Sequence, residues 1–197
     1  KCATETHGSV EVRIGWDSAI RRWRKGSELR YIVCTDGFPP CLARRVEDDM
    51  KQAISAWQGI GVSFKQVSRD SKATFTVRYQ RGIWKKAYAC SFFPDPSPAE
   101  LLVFEPTCSK PEYLPNILAH EIGHILGLRH EFALEKEGWE PSCRLGPENP
   151  QSIMQYYDHL GKYKVNDLDL QGLREFYEYD QEKYDGLAVL DIEPGLH

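Results

Sequence analysis

No apolar stretch in these 197 residues approaches the ~20 consecutive residues needed to cross a bilayer as a helix, so no membrane span is expected. Nor does a secretory signal open the chain. Lys1, Cys2, Ala3 and Thr4 lead into polar residues, so a signal, if the protein is exported, has already been removed from this numbering. Positive charge is not in excess: 25 Lys and Arg stand against 29 Asp and Glu, and the formal charge of −4 supplies no basic patch for nucleic acid. There is no Asn-x-Ser/Thr sequon, so N-glycosylation is not expected. No CxxC pair, internal repeat or low-complexity tract occurs.

What is present suits one folded domain. A hydrophobic content of 41%, with 12% aromatics, is enough for a real core at this length. Leu42, Val46, Met50, Ala53, Ile54 and Trp57 recur with the 3.6-residue period of an amphipathic helix, which Gly59 and Gly61 stop. The runs 62–67 and 73–79 alternate or carry β-branched and aromatic residues, as strands do, and 31–33 and 101–104 are two shorter candidates. Residues 93–98 form a proline-punctuated loop. A further helix is expected to start near Tyr113 to Pro115, and a closing one near Asp167.

The richest segment is His120-Glu121-Ile122-Gly123-His124-Ile125-Leu126-Gly127-Leu128-Arg129-His130, which reads HExxHxxGxxH. Chance places these five fixed residues in about one chain in 10⁵ of this size. On a helix His120 and His124 lie four apart and share a face, so both reach one ion. Gly127 turns the chain out through positive φ and brings His130 round as a third ligand. Three imidazoles leave one tetrahedral position for water, the mark of a catalytic zinc rather than a structural one. Glu121 is suited to take a proton from that water. Solvated surface histidines and a purely structural zinc are the bland alternatives. Three of the six histidines crowd into eleven residues, and structural zinc prefers Cys-rich sets.

The long motif resembles that of the metzincin zinc endopeptidases, in which a methionine turn follows. Ser152-Ile153-Met154-Gln155-Tyr156 is the candidate, with Met154 placed 24 residues after His130. Glu131 after the third His, and Tyr156 two places after the Met, narrow the resemblance to the astacin family, with Gln155 where a His is usual. The segments from Asp17 to Trp23, from Leu29 to Val33 and from Val165 to Tyr177 are similar to the start and last helix of an astacin catalytic domain. The resemblance implies an α+β metzincin fold: a small, twisted, mostly parallel sheet, a long zinc-binding helix, a Met-turn, and a cleft between two subdomains. It implies one zinc ion on His120, His124 and His130, and Glu121 as general base and proton shuttle. Met154 would be a hydrophobic floor beneath the metal. Tyr156 would be a weak fifth ligand at rest and a donor to the oxyanion in catalysis, and Glu131 a buried partner, through water, of the mature amino terminus. The interval from His130 to Met154 is shorter than in typical astacins, so a compact lower cleft is expected.

Six cysteines without CxxC spacing read as three disulfides in an exported protein, with fifteen possible connectivities. Cys34 and Cys41 flank a turn-rich loop that a local bridge would close. Cys90 and Cys108 resemble the astacin pair just upstream of the zinc helix, and Cys2 and Cys143 would then remain for each other. The chain departs from the family in lacking a Cys both near Ile60 and at the carboxy end. Residues 1–16 are expected to be an amino-terminal arm or a propeptide remnant, 17–177 the catalytic domain, and 178–197 an acidic, solvated extension. Two readings of the arm compete. It is an extra brace stapled to the body, or a plug, with Ile14-Gly15-Trp16-Asp17 partly similar to the family's FxGD context, or with Cys2 as a thiolate ligand.

The expectation is therefore a secreted, monomeric zinc endopeptidase acting on a protein or peptide substrate. The alternatives are a catalytically silent zinc-containing binding protein, a metzincin of another family, or a zinc hydrolase of non-peptide substrates.

Overall fold

A computed structural model describes residue 2 and residues 13–15, 19–82, 87–130, 143–155 and 157–197. Its centre is a five-stranded sheet built from β3 (Glu28–Val33), β4 (Ser63–Gln66), β5 (Phe75–Gln80), β6 (Ala89–Cys90) and β7 (Ala99–Phe104). The spatial order is β4-β3-β5-β7-β6, parallel throughout except for β6, which runs antiparallel at one edge. Alternation does the sorting: Phe75 and Val77 on β5, and Leu101 and Val103 on β7, are buried, while Arg78 and Glu100 face out and pair at 2.7 Å. The rings of Tyr31 and Phe75 stack at 5.7 Å across the parallel pair.

Helices from two segments of the chain pack with this sheet in one core. The predicted helix over 42–58 is broken into α1 (Pro40–Ala43) and α2 (Val46–Ser55), with Val46, Met50 and Ala53 buried as the periodicity requires. Glu47, Asp48 and Asp49 occupy the first turn of α2, where negative charge suits the helix dipole. The second helix, α3 (Leu114–Ile125), begins with Pro115 in its first turn and is buried along nearly its whole length. Its carbonyls are gripped from outside. Trp57 Nε1 donates to Ala119 O at 2.8 Å, Trp23 Nε1 to Ile125 O at 2.7 Å, and the Tyr177 hydroxyl to Leu126 O at 3.0 Å.

The closing helix, α4 (Asp167–Glu178), starts with a capping box: Asn166 Oδ1 accepts from Asp169 N, and Asp169 Oδ2 accepts from Asn166 N, both at 3.0 Å. Beyond it the structure corrects one expectation. Residues 178–197 are exposed or half-exposed throughout, but they do not run as a free extension. They form β9 (Lys183–Tyr184) and β10 (Leu187–Ile192), and β10 lies parallel to β2 (Ala19–Trp23) in a second sheet. The tail's acidic residues, though exposed, pair with the basic residues around β2: Arg22 with Asp191 at 2.7 Å, Arg24 with Glu193 at 2.9 Å and Lys25 with Glu178 at 2.6 Å. A short antiparallel ribbon joins β1 (Arg13–Ile14) to β8 (Cys143–Arg144), tying the amino-terminal arm to the body. Among the described residues no helix is long and apolar enough to cross a membrane.

Candidate metal centre and active site

The end of α3 carries the site. His120 and His124 sit one turn apart on it, and Gly127 leaves the helix at φ +99°. A Cβ there would meet Arg21 O at 3.2 Å, so both the backbone conformation and the space favour glycine. Leu128 N reaches back to Gly123 O at 2.9 Å and closes the turn, and His130 follows two residues later.

Two of the rings are oriented by carbonyl oxygens. A carbonyl only accepts, so His120 Nδ1 donates to Ile153 O at 2.7 Å and His124 Nδ1 to Leu128 O at 2.8 Å. This tautomer leaves both Nε2 lone pairs directed inward. They converge on His130 Nε2, at 2.9 Å from His120 and 3.2 Å from His124. Tetrahedral zinc at Zn–N distances of ~2.0–2.1 Å separates its nitrogens by ~3.3 Å, so the constellation has the size of a zinc site. Burial lowers the pKa of His120 and takes His124 and His130 well below the ordinary imidazole value, with the neighbouring histidines adding to the shift in the latter two. Neutral imidazoles are what a metal needs.

A thiol lies beside the three imidazoles. Cys2 Sγ lies 3.6 Å from His124 Nε2, and the ligand atoms of Cys2, His120, His124 and His130, all buried, fall within 4.8 Å of one another. Cys2 also bridges in parallel to Ala89 on the outer edge of β6. This corrects the pairing with Cys143, whose thiol instead donates to Tyr184 O at 3.6 Å. Neither the Cys34–Cys41 nor the Cys90–Cys108 bridge is formed.

Glu121 is buried beside the histidines, in a small cavity lined by Cys2, Tyr88, Ile117, His120, Leu160 and Tyr163. The hydroxyl of Ser91 approaches its Oε2 at 2.9 Å and its main-chain oxygen at 3.0 Å. Tyr163 packs edge-on against His120 at 4.9 Å, and burial pushes its phenol up to about 12. Phe93 packs edge-on against His124 at 5.6 Å. Ser91, Tyr163 and Phe93 carry no sequence signal, because their role comes from where distant segments meet. Under the helix lies Met154, fully buried, with its sulfur over Gly123 so closely that a β-carbon there would overlap it. Its turn is held by Ser152 N to Asn149 O at 2.9 Å and Gln155 N to Ser152 O at 3.1 Å. Arg129, buried between the ligands, donates to Gly15 O at 3.0 Å and so touches the amino-terminal arm. Glu131 and Tyr156 lie outside the described residues.

A mixed sheet covered by helices, with two inward imidazoles and an adjacent glutamate on one helix and a third imidazole just beyond its end, defines a metallopeptidase-like protein. The model of metallo-peptidase family M12 (Reprolysin_5) matches residues 46–166, well over half the chain, and the chain belongs to that zinc-dependent family. No curated protein matches it. Among solved structures it is similar to that of myroilysin, at 16% identity and a TM-score of 0.55, over 86% of this chain and 100% of that one. At that identity the likeness concerns the fold.

Proposed function

We propose that this chain is a secreted zinc endopeptidase of astacin type, held latent by Cys2. One observation carries the reading: three buried, neutral imidazoles present Nε2 atoms to a common centre beside a buried glutamate, and a thiol completes the tetrahedron. His120, His124 and His130 would hold the ion. When bound there, zinc supplies a Lewis acid that brings the pKa of a water toward ~7 and polarises the scissile carbonyl.

The rest falls to the chain. Glu121 takes the proton as the water oxygen bonds to the carbonyl carbon, then gives it to the amine nitrogen as the C–N bond breaks. The outer edge of β6 suits an extended peptide added as a further strand. That edge is taken by Cys2 at Ala89, which supports latency. Met154 would serve as the Met-turn's apolar floor, supported by its packing on Gly123. The astacin assignment, with Tyr156 as oxyanion donor, rests on the spacing of Glu131 and Tyr156 in the sequence. Secretion rests on the resemblance to the astacins alone.

The test is a peptide-library digest by the zinc-loaded chain, compared with the chain trimmed to about Ser18 and with full-length Cys2→Ser. Trimming and Cys2→Ser should each raise cleavage, chelator should abolish it, and Glu121→Gln should keep its zinc yet not cleave. Cleavage as fast before trimming as after removes the latency, and turnover by Glu121→Gln removes the mechanism.

A further inference from the structure

Glu121 has three side-chain torsions, and a general base works only when its carboxylate is held within hydrogen-bond reach of the proton it takes. The Glu121 cavity is lined by Cys2, Tyr88, Ile117, His120, Leu160 and Tyr163. Ser91 stands one residue beyond β6, across the site from α3, and is itself half-buried. Its Oγ is 2.9 Å from Glu121 Oε2 and 3.0 Å from Glu121 O.

A serine hydroxyl has one proton and two acceptors compete for it. The main-chain oxygen lies inside α3, where the helical ladder already supplies it with a donor four residues on. The carboxyl oxygen has the more open lone pairs and no helical donor of its own. The O–H therefore points to Oε2, and the nearby carbonyl fixes where Oγ sits. The consequence is mechanical. Ser91 continues from the edge strand, so the segment that would receive a peptide is tied directly to the group that would deprotonate the water.

We propose that Ser91 is a positioning residue for Glu121, its hydroxyl setting the angle of the carboxylate and the spacing between the β6 edge and the base. This rests on the endopeptidase reading given above. Ser91 does not touch the reacting atoms; it acts through Glu121.

The experiment compares Ser91→Ala and Ser91→Thr in the full-length Cys2→Ser chain, loaded with zinc and assayed on a cleavable peptide. Loss of one hydrogen bond to a charged group predicts a kcat about tenfold lower for Ser91→Ala. KM, zinc content and melting temperature should stay close to the parent's, and Ser91→Thr, which keeps the hydroxyl, should recover most of the rate. A second readout needs no turnover: in crystals of full-length Ser91→Ala without metal, the Glu121 carboxylate should leave its parental rotamer. An unchanged kcat, an equal loss in Ser91→Thr, or an unmoved Glu121 overturns the role of Ser91 alone. Turnover by Glu121→Gln overturns the endopeptidase reading, and the role of Ser91 with it.

Discussion

His120 donates through Nδ1 to the carbonyl of Ile153 at 2.7 Å, so the turn bearing Met154 sets the direction of a metal-facing nitrogen. Ile153 is in turn held from α4: its N–H donates to Asp169 Oδ2 at 3.2 Å, while Asp169 Oδ1 accepts from Ser152 Oγ at 2.6 Å and from Asn149 Nδ2 at 3.0 Å. A buried carboxylate on the last helix thus orients a ring on the zinc helix through one peptide unit. Burial raises the pKa of Asp169, which these hydrogen bonds oppose.

Replacing Asp169 by Ala removes acceptors from several buried donors at once. We expect a loss of about 2–4 kcal/mol in denaturant unfolding, together with weaker zinc retention against a chelator, because His120 loses its fixed orientation. Full zinc retention with normal stability would show that the turn holds itself.

Gly123 lies under the Met154 sulfur, and a β-carbon added there would also come to 3.4 Å from Trp57 Cζ2. Gly123→Ala should cost about 1–3 kcal/mol by overpacking, read as a lower melting temperature, and Met154→Ala in the same chain should recover part of it. Additive losses in the double variant would contradict the contact.

Arg22 is buried and serves the tail: Nε pairs with Asp191 at 2.7 Å, Nη2 donates to Tyr179 O at 2.8 Å, and Nη1 bonds Phe176 O. Arg22→Ala leaves these acceptors and the β2–β10 pairing without their tie. Unfolding should be easier by about 2–4 kcal/mol, and protease should cut sooner within residues 179–197. Unaltered proteolysis there would mean that the strand pairing alone secures the tail.

The Cys108 thiol is pushed up to about 11, by burial first and then by the neighbouring Cys41. Because Cys41 is its close neighbour, exposure to a small-molecule disulfide should link Cys41 to Cys108 ahead of any other pair, at a rate held down by the raised pKa, stabilising the fold by about 4 kcal/mol through the entropy of the closed loop. Peptide mapping without reductant checks this, and a dominant Cys34–Cys41 or Cys90–Cys108 link would contradict it.

Much of the site was legible because its parts are local. A four-residue step on a helix, a glycine at the turn and a third histidine just beyond are fixed by helical geometry, and they stand where the periodicity places them. Strands β3, β4, β5 and β7 likewise fall within a few residues of the alternating runs. What was not legible depends on segments far apart in the chain. Nothing in Leu187–Ile192 announces a parallel partner at Ala19–Trp23, and its acidic neighbours mask its apolar residues. Cys2 was one of two possible plugs and also half of an expected disulfide; only the fold brings it to His124, 122 residues away. Strand β6 is two residues long, too short to show a period, and Ser91 beside it is chemically ordinary until α3 is packed against it.

The account depends on where a zinc ion binds. Crystals of the full-length chain grown with Zn²⁺ and measured on both sides of the zinc absorption edge should show one anomalous peak, ligated by His120, His124 and His130 through Nε2 and by Cys2 through Sγ. A peak elsewhere, or none at these three rings, would contradict it.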